Sequence, residues 1–330
     1  MSTGSFPGDW SHYLSCLPPE SYNYTQLLDQ CGQLDSNSKR IFSGHDAVEV
    51  WRTDGTGKLS MSKFDARNID ISGDAAYIIH QNHSWSPLNT SLDAIQQLMI
   101  AYKISPIFLD AIMAFGSKVT GEDDPYFNLC SSQTHSSEEN GDYELCYLLR
   151  TYEKHGRKWL NDPWSLRQMA VYERFDASEG RSVWILIQPF SRGKSEFLRQ
   201  CFRSQASRIT DAKLHGAFIG TALANWRWYL DDQRRLLNVQ NEKAVFSKVT
   251  PKVVDYGTGF SDCQKLHKLA WALALGEEIL ASYTHIVRML QSDLMIKDDG
   301  MLDAIRQIHI LARTAAALRN NSELITPVGI

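Results

Sequence analysis

The chain has 330 residues, 43% of them hydrophobic and 22% charged, with a formal net charge of −4. That length buries a substantial core in one large domain or two closely packed ones, and the balance is that of an ordinary globular protein. The near-neutral charge gives no electrostatic reason to expect nucleic acid or an anionic membrane as partner.

The N-terminus, residues 1–8, has neither the basic stretch nor the apolar stretch of a secretory signal. The first ninety residues are irregular. Tyr22 to Leu34 predicts a short helix ending near Gly32. Lys58 to Asp65 alternates like an edge strand, and Ala75 to His80 is an apolar run of strand type. Ser91 is placed to cap a helix through Leu92, Ile95, Leu98 and Met99. Pro106 suits the first turn of another, Ile107 to Phe115, stopped by Gly116. Residues 117–142 are rich in Gly, Ser, Asp and Glu and read as a long surface loop.

Three strands follow in succession, Tyr143–Tyr152, Ser165–Phe175 and Ser182–Gln188, split by turn chemistry. Beyond Pro189 almost everything reads as helix. Lys194 to Arg208 is amphipathic, Asp211 caps a long helix to about Glu242, and Ser261 caps another through Leu290. Asp298 to Gly300 punctuates before a last helix from Met301 to Arg319. The apolar run Ser182–Ser191 spans ten residues, about half a membrane crossing. The fold class is therefore α/β: a mixed β-sheet flanked by helices, followed by long, antiparallel, stalk-like helices. Residues 1–90 belong to the α/β domain, 91–210 form its core, and 211–330 form the long-helix region.

The six cysteines, Cys16, Cys31, Cys130, Cys146, Cys201 and Cys263, contain no C-x-x-C pair and read as reduced thiols of a cytoplasmic protein. Gln188 to Ser195 lies between a strand and a helix, where a phosphate-cradling loop would sit. Gly193, Lys194 and Ser195 fit that motif, but Gln188 replaces its first glycine and Pro189 removes a backbone N–H. The plainer reading is a capped strand-to-helix loop. Val253 to Gly259 resembles the glycine-rich loop of methyltransferases, yet no second strand follows it, so a turn between helices is the simpler account. His80 and His83 lack a third ligand at useful spacing and read as the polar end of a strand.

Glu122, Asp123 and Asp124 form an acidic cluster of hard oxygen donors, but without the spaced ligands of a calcium loop a solvated loop is the plainer reading. Trp226, Trp228 and Tyr229 share one helix with Leu230. A core-facing aromatic stripe with a charged outer face is the plainer reading there, with a contact surface as the alternative. No serine or cysteine nucleophile sits in a recognisable elbow.

Five segments together resemble fungal CorA-like proteins: Leu98–Gly116, Tyr143–Arg150, Asp162–Tyr172, Val183–Pro189 and Phe260–Leu269, in that order. The match runs roughly from Leu92 to Leu318 and rests on packing signatures. CorA proteins are pentameric Mg²⁺ channels with a cytosolic α/β domain, a long stalk helix and two transmembrane helices behind a Gly-Met-Asn motif. Here Gly300-Met301 is followed by Leu302, and no hydrophobic span flanks it. The resemblance thus implies the fold of the cytosolic part without the pore. It implies a non-catalytic regulatory or interaction module, responsive to divalent cations such as Mg²⁺ and either self-associating or bound to a protein partner. Asp110, Glu122, Asp123 and Asp124 are the candidate oxygen ligands, and Trp226, Trp228 and Tyr229 the candidate contact residues. Two alternatives stand beside it: an enzyme or accessory protein of fungal specialised metabolism with an apolar pocket near Trp226, Trp228 and Trp271, or a shortened remnant of a Mg²⁺ transporter.

Overall fold

A computed structural model of the chain describes residues 10–18, 22–53, 59–118, 129–134, 142–157, 162–203, 211–246, 259–293 and 299–325. Three helices come first: α1 (Ser11–Cys16), α2 (Tyr24–Ser36) and α3 (Ser38–Ile41). Strands β1 (Glu49–Thr53), β2 (Leu59–Lys63) and β3 (Ala75–Ile79) precede helices α4 (Leu92–Tyr102) and α5 (Ile107–Met113). Strands β4 (Cys130–Thr134), β5 (Tyr143–Lys154), β6 (Trp164–Asp176) and β7 (Arg181–Ile187) complete a seven-stranded sheet in the order β2-β1-β3-β7-β6-β5-β4.

The sheet is mixed because β3 and β7 run parallel while β1 is antiparallel to both its neighbours and β7 to β6. The parallel register pairs Ala75 with Val183 and Ile79 with Ile187. Parallel strands are joined by crossovers that cover the sheet, so their residues read as continuous apolar runs. β3 is buried at all five positions, whereas β2 at the sheet's edge buries only its first residue, Leu59.

Helix α2 opens at Asn23, whose side-chain oxygen accepts from the N–H groups of Thr25 and Gln26. It continues through Gly32 to Ser36, past the stop expected there, because Leu27, Cys31 and Leu34 keep one buried face. Ser91 caps α4 as its sequence predicts, accepting from Ala94 N–H. The stop after α5 is Gly116, at φ +117°, packed so closely that an added Cβ would lie 2.7 Å from the Arg40 carbonyl oxygen.

Three further expectations are corrected. The polar segment 117–142, read as one long loop, contains β4, which pairs with β5 through Cys130–Tyr147 to Thr134–Tyr143. The helix expected from Asp211 to Glu242 is two helices, α7 (Asp211–Leu223) and α8 (Trp226–Phe246). α6 (Ser191–Arg203) starts three residues earlier than expected. The long helices α9 (Phe260–Asp293) and α10 (Asp299–Ile325) follow. Most of the glycine-rich segment 253–259 lies outside the described residues.

The chain divides into two compact units, one of residues 1–149, 168–217 and 289–296, the other of 150–167, 218–288 and 297–330. Within the first, Glu144 ties strands to helices. Its buried carboxylate accepts from Ser105 N–H at 3.0 Å and the Tyr172 hydroxyl at 2.8 Å, and pairs with Arg174 at 2.8 Å. Within the second, Trp226 at the start of α8 packs on Gly276, and Lys243 near its end reaches Asp262 at 3.0 Å. α8 and α9 are therefore antiparallel. Arg319 of α10 pairs with Glu277 of α9 at 2.7 Å.

Candidate functional site

A cavity of about 170 Å³ opens between α2, the start of α5 and β4. Asp110, in the first turn of α5, lines it together with Gln26 and Gln30 of α2. Tyr22, Ser105 and Gln133 form a polar wall, and Leu27, Pro106 and Ile107 supply apolar surface. No Lys, Arg or His lines it among the described residues.

Gln30 donates to Asp110 Oδ1 at 3.2 Å, and the Tyr22 hydroxyl donates to Gln133 Oε1 at 3.0 Å. Burial raises the Asp110 carboxyl above its usual range, and the Gln30 hydrogen bond only partly offsets that. Burial also pushes the Tyr22 hydroxyl up, so it stays a neutral donor. The arrangement offers one uncompensated carboxylate and several neutral oxygens, a donor set that suits a cation.

Of the four acidic candidates, only Asp110 is placed. Glu122, Asp123 and Asp124 fall outside the described residues. Among the described residues no group of three or more His, Cys, Asp or Glu side chains could hold a metal ion.

The phosphate-loop look-alike has a different occupation. Lys194 Nζ lies 2.9 and 2.8 Å from the two Glu49 carboxylate oxygens, with His80 Nε2 at 3.3 Å. Ser195 turns back to its own helix and donates to the Ser191 carbonyl at 2.9 Å. Gln188 adopts φ +50°, donates its N–H to Ile79 O and accepts from Gln81 N–H, which closes the ends of β3 and β7 on each other. His83 bonds locally, its Nδ1 accepting from Trp85 N–H.

A polar chain that sequence reading missed runs under α7. His215 Nδ1 is 2.8 Å from the Tyr147 hydroxyl, and its Nε2 is 2.8 Å from Glu173, which accepts from Tyr143 at 3.1 Å. Tyr147, Glu173 and His215 are fully buried. The chain anchors α7 to β5 and β6.

On α8 the aromatic candidates separate. Trp226 and Tyr229 are buried, with Tyr229 stacked on Tyr152 at 3.7 Å and Trp226 edge-on to Tyr152. Trp164 donates to Asp232 at 3.1 Å and meets Tyr229 edge-on. Trp228 is 60% exposed, as Trp271 of α9 is at 55%.

A family model described as CorA-like transporters matches residues 15–245. The chain is similar in fold to the soluble domain of CorA from Methanocaldococcus jannaschii, with TM-score 0.51 and 10% identity over 84% of this chain and 94% of that one. It is also similar to the full-length CmaX protein, with TM-score 0.51 and 11% identity over 86% of this chain and 77% of that one. The ZntB cytoplasmic domain from Vibrio parahaemolyticus RIMD 2210633 aligns with TM-score 0.48 and 13% identity over 86% of this chain and 95% of that one. No curated protein sequence matches. Identities this low speak for the fold alone. No helix among the described residues is long and apolar enough to cross a membrane.

Proposed function

This chain belongs to the CorA-like transporter family, and from that premise we propose that it works as a non-catalytic regulatory and interaction module responsive to divalent cations. Residues 91–210 act as its α/β core and 211–330 as its long-helix region, operating in the cytoplasm and associating with copies of itself or a protein partner. Magnesium is the cation implied by the family resemblance.

The observation that supports this reading is the Asp110 cavity. A half-buried carboxylate, raised by burial and faced by amide and hydroxyl oxygens without a basic side chain, gains most from an incoming positive charge. Glu122, Asp123 and Asp124, the other acidic candidates, lie outside the described residues, and the double variant below tests the two aspartates separately.

Thermal unfolding tests this directly. A ligand that binds the folded state raises the midpoint as its concentration passes Kd. The chain is melted in chelator and then in increasing MgCl₂, beside Asp110→Asn and the double variant Asp123→Asn/Asp124→Asn. A saturable rise in the parent that both variants diminish supports the reading. An unchanged midpoint up to tens of millimolar Mg²⁺ sinks the cation response and leaves a module that works through its partners alone.

A further inference from the structure

The geometry points to the cavity between α2, α5 and β4 as a binding site for a small organic cation, a primary ammonium on a short apolar stem. It gives the same cavity a different occupant from the divalent cation proposed above, one that competes with it for Asp110 and is selected by shape as well as charge.

Three features carry it. Asp110 provides one carboxylate with no basic side chain lining the cavity among the described residues. A single carboxylate balances a monovalent ammonium fully, whereas a dication would keep a net positive charge in a half-buried place. An ammonium also has three N–H donors to place. Asp110 accepts one, and the oxygens of Ser105, Gln133 and the α2 glutamines stand around the same space for the others.

The second feature is the apolar part of the wall. Leu27, Pro106 and Ile107 line the cavity beside the polar groups. A metal ion in its hydration shell gains nothing from such surface, whereas an alkyl stem does. The third is size. At about 170 Å³ the space is slightly larger than an apolar cavity of roughly 150 Å³ that accepts benzene, so it suits a molecule of about that bulk or a little more.

The raised Asp110 carboxyl agrees with this assignment. Burial disfavours its charge, and a bound ammonium would restore it, so binding releases the proton from any protonated Asp110 and weakens as pH falls through its raised value.

The probe is n-butylammonium chloride, titrated into the full chain and followed by calorimetry and by ligand-observed NMR, with n-butanol and MgCl₂ as parallel arms. Asp110→Asn removes the charge with little change of shape. Gln26→Trp, at an exposed position of α2, fills the cavity from outside without touching the core. Saturable butylammonium binding in the millimolar range, at least tenfold weaker in both variants and absent for butanol, is the expected result. The absence of saturation, equal binding of butanol, or full retention in either variant would overturn the inference. If MgCl₂ raises the melting midpoint while butylammonium fails to bind, the divalent-cation reading stands and the organic-cation site falls. Butylammonium binding without a Mg²⁺ response upholds the organic-cation site and removes the divalent one.

Discussion

Lys194 on α6 holds both carboxylate oxygens of Glu49 on β1, at 2.9 and 2.8 Å, across 145 positions of sequence. Trp51 donates to the same carboxylate at 3.1 Å, and His80 Nε2 stands 3.1 Å from it. The lysine that in sequence belongs to a phosphate-loop look-alike thus pins a helix to the sheet beside the parallel pair β3 and β7.

Burial alone would raise the Glu49 carboxyl, but the Lys194 hydrogen bonds and charge, with Trp51 and His80, hold it below its usual value. Burial lowers His80, the Lys194 charge lowers it further, and Glu49 only partly opposes them. Both signs lead the same way. A depressed carboxyl stabilises the fold above its unfolded value and loses that as pH falls through the folded one. A depressed imidazole favours the fold as its neutral form, an advantage that disappears from pH 6.5 downward. The expected outcome is acid destabilisation centred on this cluster. Lys194→Met should cost about 1 kcal/mol at pH 7, the upper end for a partly exposed pair. It should also move the His80 titration upward, read from its ring protons by NMR. A His80 titration unchanged in the variant would show that Lys194 does not set it.

Asp35 is the opposite case. Trp10 Nε1 donates to its Oδ1 at 3.0 Å, but its buried Oδ2 has no hydrogen-bond partner among the described residues. Burial raises its carboxyl, and the Trp10 bond does not fully compensate. Folding therefore favours the protonated form, and that stabilisation is complete below the unfolded carboxyl value and lost as pH rises through the folded one. Asp35→Asn keeps an acceptor for Trp10 and removes the charge. It should stabilise the chain at pH 7 by about 1 kcal/mol and bring no gain at pH 3. Chemical denaturation at the two pH values measures the difference, and equal effects at both would exclude a charge-based cause.

Gly116 shows how a sequence signal can be right for more than one reason. It ends α5 as a glycine should, yet its φ of +117° and the Arg40 carbonyl oxygen, 2.7 Å from where a Cβ would stand, leave no room for a side chain. Arg40 donates to the Phe115 and Met113 carbonyls at 2.9 and 3.1 Å, and Ser117 N–H returns to Arg40 O. Gly116→Ala should cost about 3 kcal/mol from backbone strain and steric displacement together. A loss below about 0.5 kcal/mol, the scale of an ordinary surface change, would mean the loop relaxes freely.

The sheet centre was legible because β5, β6 and β7 carry long apolar or alternating runs, and the cap at Ser91 because Ser before a helical period has a local mechanism. Strand β4, Cys130–Thr134, was not, since its Ser, Gln and Thr residues resemble a loop and only pairing with β5 makes them a strand. The break between α7 and α8 carries neither Gly nor Pro. Ala224 N–H bonds to the Thr221 carbonyl and a new helix begins after Asn225, a choice made by packing. Asp110 was singled out by its charge, but its cavity joins residues 22–30, 105–110 and 133. No local window of sequence contains all three. The His215 chain was invisible for the same reason, its partners lying 68 and 42 positions away.

The aromatic cluster on α8 allows packing and recognition to be separated within one turn of helix. Trp226 is fully buried against Tyr152, and an added Cβ on Gly276 would come within 3.3 Å of its ring. Trp226→Ala should cost about 4 kcal/mol, as large aromatic deletions in a core do, and Gly276→Val should destabilise through the same contact. Trp228 is 60% exposed, with the Arg227 guanidinium 6.0 Å from its ring centre. Trp228→Ala should leave stability within about 0.5 kcal/mol. Sedimentation velocity of that variant then isolates the surface role. If the parent chain self-associates through this face, loss of Trp228 weakens the assembly while the melting midpoint of the dilute chain stays put. If association is unaltered, the contact residues lie elsewhere and Trp228 is an exposed aromatic with no part in self-association.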